Sequence, residues 1–326
     1  MPKDSLPLRE ALLACLPSLE IERPLAESGQ RVVYLARFDD SQIPSDVTLP
    51  DGADPDEKPF LHGWQAWGDI VVKVVAGAST ETIARLQAEA DILEEVRPAN
   101  FPKLLYCNLF IENPVTEERL LDRLYVTVEE FIVSRPLSDL LVDYRGQEAR
   151  TVEVALGIAN ALMPLWQHPK KFVHRDIKPA NVLIRRNGEV VVIDLGIVRE
   201  TGAKGLTATG WGNAPLTPGY AAPEQIANDK VSISFKSDFF SIGVLMYVLM
   251  SGVNPFEHRA GMDDQDVLMA TRHHQPKVLS DLAKVSPAFS DFVMKALQKE
   301  PFRRHRTPAI FAEELQALLP STAQQN

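Results

Sequence analysis

The chain has 326 residues, long enough for two lobes with a core each, and its net charge of −10 argues against nucleic acid as the main partner. The 45% hydrophobic and 24% charged fractions suit an ordinary globular protein, and two cysteines, Cys15 and Cys107, exclude a disulfide framework or a thiolate zinc site. The longest apolar run, Phe239 to Met250, is too short to span a bilayer, and the first twenty residues lack the basic start and long apolar core of a signal peptide. A cytoplasmic protein with no membrane partner is the expectation.

In chain order, residues 1–18 read as an extension carrying a short amphipathic helix around Leu12, Leu13 and Leu16. Two strands, 19–25 and 31–36, are expected around a turn over 26–30. An acidic, proline-rich insert follows at 39–69, closed by Trp64 and Trp67, which either pack it back onto the lobe or anchor a partner. Residues 70–75 are apolar on both faces except for Lys73, the pattern of a strand buried on both sides. An ammonium there needs a partner. The next helix, from 79 or 80 to about 96, carries Glu89 inside an apolar stripe of Ile83, Leu86, Ala90, Leu93 and Val96. A Lys73–Glu89 ion pair is therefore expected. Residues 125–132 read as a further strand, and 149–167 as a helix.

The most informative stretch is 172–196. Two apolar runs, 182–184 and 190–193, flank Asn187-Gly188, which predicts a hairpin with a two-residue I′ turn. Position i then pairs with 375 − i, and Asn181 lies opposite Asp194. Asp176 and Lys178 sit just before, in a turn stiffened by Pro179. Asp194 and Asn181 are hard oxygen ligands suited to Mg²⁺, Asp176 can accept a proton from a hydroxyl, and Lys178 can offset charge on a phosphoryl group in transfer.

His174-Arg175-Asp176-Ile177-Lys178-Pro179-Ala180-Asn181, followed by Asp194-Leu195-Gly196, resembles the catalytic loop and metal motif of eukaryotic-type protein kinases, with Leu195 in place of the usual phenylalanine. Lys178 at this place resembles the serine/threonine branch, and the alanine- and leucine-rich style resembles bacterial members. The resemblance covers about 20–319. It implies an α+β, bilobal protein-kinase fold: a small, mostly antiparallel β N-lobe with one helix at 19–132, a larger, mostly α-helical C-lobe at 133–319, and a tail at 320–326.

It also implies ATP with Mg²⁺, or Mn²⁺ in its place, as cofactors, and Ser/Thr hydroxyls of proteins as acceptors, with autophosphorylation. Lys73 and Glu89 would hold the α/β-phosphates. The 19–38 hairpin would be the glycine-rich loop, whose three glycines fall at Ala26, Ser28 and Arg31, leaving only Gly29. Small side chains still let the backbone approach phosphate, while Arg31 would contact phosphate through its guanidinium. Val33, Val71, Leu183 and the first hinge residue, Glu130, complete the nucleotide set, with either Glu129 or Val128 as gatekeeper.

Asp176, Lys178 and Arg175 would be the catalytic-loop residues, and Asn181 and Asp194 the metal ligands. Leu216 to Glu224 resembles the end of an activation segment, with Thr217 at the substrate site, Arg306 as the partner of Glu224, and Thr207 and Thr209 as candidate phosphate acceptors answered by Arg175. Asp238 either caps the helix of the apolar run or bonds the backbone of the catalytic loop. The altered glycine loop leaves a pseudokinase scaffold as the alternative. A small-molecule phosphotransferase would lack the Ala222-Pro223-Glu224 segment, and the 39–69 insert is a candidate partner contact.

Overall fold

β-branched runs build the first part of the chain into a five-stranded antiparallel sheet. In the computed structural model the described residues are 4–28, 31–39, 64–195, 199–200, 216–257 and 259–320. They fall into two units, one within Met1–Glu94 and Pro102–Ile132, the other within Glu95–Phe101 and Val133–Asn326. The first holds α1 (Leu6–Cys15), β1 (Leu19–Ser28), β2 (Arg31–Phe38), β3 (Ile70–Ala76), all but the last two residues of α2 (Thr80–Val96), β4 (Leu104–Glu112) and β5 (Arg119–Glu130), with sheet order β1-β2-β3-β5-β4.

The two faces of this sheet carry different helices. Ile70, Val72, Val74, Val126 and Val128 point to one face, where Leu8, Leu12, Cys15 and Leu16 of the N-terminal extension close over them and over Val32 and Tyr34. Ser5 caps α1 by accepting from Leu8 N, and the Asp4 carboxylate accepts from both the Tyr34 hydroxyl, at 2.8 Å, and Arg9. The opposite face packs Val75 and Tyr125 against Leu86 and Ile83 of α2. Leu12 is fully buried. Leu12→Ala should therefore cost about 2–5 kcal/mol in urea unfolding, from lost transfer and a cavity. A change near zero would mean that α1 does not belong to the folding unit.

One local expectation changes. The turn expected over 26–30 is shorter, because β1 runs on to Ser28, which pairs with Arg31, and Ala26 faces Val33. Trp67 packs edge-on against Phe38, at 6.0 Å between ring centres, so this indole serves the lobe's own core. Trp64's side chain and residues 40–63 of the insert lie outside the described residues. Strand β4 has no clean alternation to announce it, since its residues are half-buried from Leu104 to Leu109.

The second unit comprises β6 (Ser134–Pro136), α3 (Leu141–Tyr144), α4 (Glu148–Gln167), β7 (Phe172–Val173), β8 (Val182–Arg185), β9 (Val190–Val192), β10 (Arg199–Glu200), α5 (Pro223–Ile226), α6 (Phe235–Ser251), α7 (Asp264–His273), α8 (Pro287–Ala296) and α9 (Pro308–Ala317). β6, β8 and β9 form one small sheet, and β7 pairs with β10. α6 is buried along its whole length, as its all-round apolar sequence requires. Ser234, not Asp238, is its N-cap, in a capping box with Ser237. Trp166, Phe239, Phe292 and Phe311 cluster where α4, α6, α8 and α9 meet, with Phe239 stacked on Phe311 at 4.1 Å. At Gly157 of α4 a Cβ would lie 2.5 Å from Val190 Cγ2, so glycine is what lets this helix seat on β9.

The β8–β9 hairpin exists, but its register differs by one from the I′ expectation. Val182 pairs with Val192, Leu183 with Val191 and Ile184 with Val190, so position i meets 374 − i. Gly188 N donates to Arg185 O at 3.0 Å, and Gly188 alone of the dipeptide has positive φ, at 84°. This is the three-residue solution, a turn followed by a left-handed glycine, rather than the two-residue one. No helix among the described residues is long and apolar enough to cross a membrane.

Candidate active site

Asp176 is the centre of the polar cluster in the second unit. Its Oδ1 accepts from the Thr217 hydroxyl at 2.6 Å, and its Oδ2 accepts from Lys178 Nζ at 2.8 Å and Asn181 Nδ2 at 2.9 Å. Asn181 Nδ2 also donates to Asp176 O at 2.8 Å, and Lys178 Nζ to Thr217 Oγ1 at 3.0 Å. The carboxylate is thus oriented by three side chains, two of them from its own loop. Asn181 is buried in a one-turn 3₁₀ segment begun by Pro179. Its amide nitrogen is committed to Asp176, which leaves its oxygen as the available metal donor.

The hairpin brings Asp194 to this end by backbone pairing: Ile193 N donates to Asn181 O at 3.0 Å. Because of the 374 register, Asp194 lies one position beyond the residue facing Asn181. Asp194 has φ 55° and Arg175 has φ 72°, both left-handed conformations that non-glycine residues rarely adopt. Such strain persists only where the surroundings impose it. For Arg175 the source is visible. Asp238, buried on α6, accepts from Arg175 N at 2.8 Å, His174 N at 3.0 Å and Trp166 Nε1 at 2.8 Å, while Gln225 Nε2 donates to Arg175 O at 2.9 Å. Burial raises the Asp238 carboxyl above its ordinary value, against the pull of those donors and the nearby His174, and burial likewise lowers the His174 imidazole.

Glu224 is held by Arg304, which corrects the sequence assignment to Arg306. Arg304 Nη1 and Nη2 reach Glu224 Oε1 and Oε2 at 2.7 and 2.8 Å, with side chains 0% and 3% exposed. Burying a guanidinium requires all its donors to be used, and Arg304 spends the others on the backbone carbonyls of Lys236, Gln298 and Lys299. Ser237 adds a bond to Glu224 at 2.7 Å. Arg306 is exposed. A 3₁₀ turn at Pro301–Arg303 aims Arg304 inward, and that proline was the only sequence sign of it.

In the first unit, Lys73 pairs with Glu129 at 2.8 Å, and Arg31 pairs with Glu89 at 3.3 Å. Val33 lies directly opposite Lys73, and Val71 two residues before it, on the same face of the sheet. Of the two gatekeeper candidates, Val128 points to the other face, beneath α1, and Glu129 shares the lysine's face. Glu130 ends β5, its N–H donating to Lys103 O at 2.9 Å, and Leu183 is half-buried in β8 opposite Val191. Ala26 is exposed. Gly29, Thr207, Thr209 and the side chain of Ser28 lie outside the described residues. Trp166, Gln225, Glu129 and Arg304 are the supporting residues that sequence reasoning did not assign these contacts, since each acts across a long chain separation that no local spacing marks.

A sequence model described as the protein kinase domain matches residues 68–315. The chain is 34% identical over 198 residues to a probable serine/threonine-protein kinase of Streptomyces coelicolor, covering 59% of this chain and 28% of that protein. It is 33% identical over 307 residues to serine/threonine-protein kinase PknJ of Mycobacterium tuberculosis, covering 92% of this chain and 45% of that one. Against serine/threonine-protein kinase PknB of Mycolicibacterium smegmatis the identity is 31% over 169 residues, covering 51% of this chain and 26% of that protein. The chain spans less than half the length of each of these relatives. Since the family match takes in the Asp176 loop, the Asp194 hairpin and the Glu224 anchor alike, this chain belongs to the protein kinase domain family.

Proposed function

We propose that the chain is a serine/threonine protein kinase that transfers the γ-phosphoryl group of ATP to serine and threonine hydroxyls of protein substrates, itself included. The observation that carries the reading is the Asp176 carboxylate held between Thr217, Lys178 and Asn181. Asp176 takes the proton of the acceptor hydroxyl as its oxygen bonds to phosphorus and the bond to the departing ADP oxygen breaks. Lys178, beside Asp176, steadies the negative charge on the group in transfer. Thr217, bonded to both, ties the substrate segment to the base. Asn181 and Asp194 would hold Mg²⁺, or Mn²⁺, a fit that rests on the Asn181 amide oxygen, whose nitrogen is spent on Asp176, and on the Asp194 carboxylate that the hairpin returns to the same end. The metal supplies neutralising charge to the phosphates. Arg175 answers a phosphate on the activation segment, the insert contacts a partner, and the protein acts in the cytoplasm.

A scaffold that does not turn over is the second reading, favoured by one observation: the third glycine position is Arg31, engaged with Glu89. Mass spectrometry of the purified protein after incubation with Mg-ATP, beside an Asp194→Ala control, separates the two. Phosphothreonine or phosphoserine is expected in the wild type only, with 201–217 as the first place to look. A wild type that stays unmodified and leaves a generic protein substrate unmodified would give the scaffold precedence.

A further inference from the structure

The register of the first sheet sets an acid beside the nucleotide-side lysine. Lys73 on β3 lies opposite Thr127 on β5, and Val71 lies opposite Glu129. Opposite residues share a face, and so do residues two apart on one strand. Lys73 and Glu129 are therefore diagonal neighbours, and their side chains close to 2.8 Å at 11% and 10% exposure. A carboxylate this buried is stable only with a partner. Arg31, opposite Val75 on β2, occupies the same face and meets Glu89 from α2. Two cations and two acids thus line one surface, and each acid reaches a cation from a different element.

Resting on the kinase reading of Lys73, we infer that Glu129 is a positioning residue that holds the Lys73 ammonium for the ATP phosphates. Glu129 and Lys73 sit on adjacent strands of one hydrogen-bonded ladder, so their spacing is set by sheet register. Glu89 depends instead on where a helix packs. Glu129 therefore keeps the lysine aligned whatever small shifts α2 undergoes. This gives the charged side chain at the gatekeeper position a purpose: it faces Lys73, while Val128 fills the opposite core.

The test is calorimetric titration of the full chain with Mg-ATP and, separately, with adenosine, for wild type, Glu129→Gln, Lys73→Met and the double variant. Glu129→Gln is expected to weaken Mg-ATP about tenfold, to leave adenosine unchanged, and to add nothing in the Lys73→Met background, the pattern of two residues acting as one unit. Glu129→Asp, which keeps the charge but shortens its reach, should fall between and provides a folded comparison if the glutamine variant misfolds. Unchanged or tighter Mg-ATP binding in Glu129→Gln, equal losses for ATP and adenosine, or additive single effects would each overturn the inference. If Lys73→Met binds Mg-ATP as the wild type does, the kinase reading of Lys73 falls, and the inference with it. Weak binding by Lys73→Met together with normal binding by Glu129→Gln removes the inference alone.

Discussion

Asp176→Ala should lower turnover by roughly 10²–10⁴, the usual range for losing a positioned general base. The carboxylate has two functions that this change removes together. In the proposed mechanism it accepts the acceptor's proton, and in the structure it organises Lys178, Asn181 and Thr217, all three of which donate to it. Asp176→Asn separates them, because an amide keeps the shape and one acceptor oxygen but cannot take the proton. If Asp176 is the base, the asparagine variant should be nearly as slow as the alanine variant while its KM for ATP stays close to wild type. Steady-state kinetics with a protein acceptor provides the comparison. A turnover within a few fold of wild type in either variant would remove Asp176 from the chemistry.

The largest loss of stability is expected at Arg304. Removing one partner of a fully buried ion pair leaves the other charge stranded, which costs about 3–5 kcal/mol. Arg304→Met strands Glu224, and it also frees the carbonyls of Lys236, Gln298 and Lys299 from their common donor. Pairing Arg304→Met with Glu224→Met removes both charges, and the double variant should lose less than the sum of the single ones. Arg306→Met, at an exposed position, should leave the unfolding transition where it is. Urea titration of the four variants beside the wild type decides the matter. Equal losses at 304 and 306 would contradict the buried pair. The same pair holds Pro223–Ile226, the short helix whose Gln225 reaches the backbone of Arg175, so the weakened variants should also be slow enzymes.

The polar cluster around Asp176 was legible because its members are crowded into a short span. Asp176, Lys178 and Asn181 lie within six residues, and a hairpin returns Asp194 to them, so local turn chemistry was enough to gather the group. The same holds for element types. The β-branched run at 70–75, the apolar stripe of 80–96 and the all-round apolar run at 239–250 each admit one structure. Even here the turn misled by one residue. Asn-Gly allows both the two-residue and the three-residue solution, and only the packing of β8 and β9 into their small sheet distinguishes them.

What the sequence could not choose is which partner a buried charge takes. Lys73 plainly needed an acid, and the sequence offered Glu89 in the next helix; Glu129, which pairs with the lysine at 2.8 Å, arrives from β5, 56 positions on, once the strand order is β3-β5-β4. Arg304 and Arg306 are two residues apart and chemically identical, and a 3₁₀ turn turns one of them inward. Whether α1 would be a loose extension or the cover of the sheet was equally open until Leu12 was seen against Val72 and Val128. By itself the sequence determined the chemistry-bearing loop and the kinds of elements around it, because those rest on periodicity and on neighbours a few residues apart. The tertiary structure alone decided the ion pairs, the hairpin register and the covered face, because desolvation and sheet register depend on distant segments that meet only after folding.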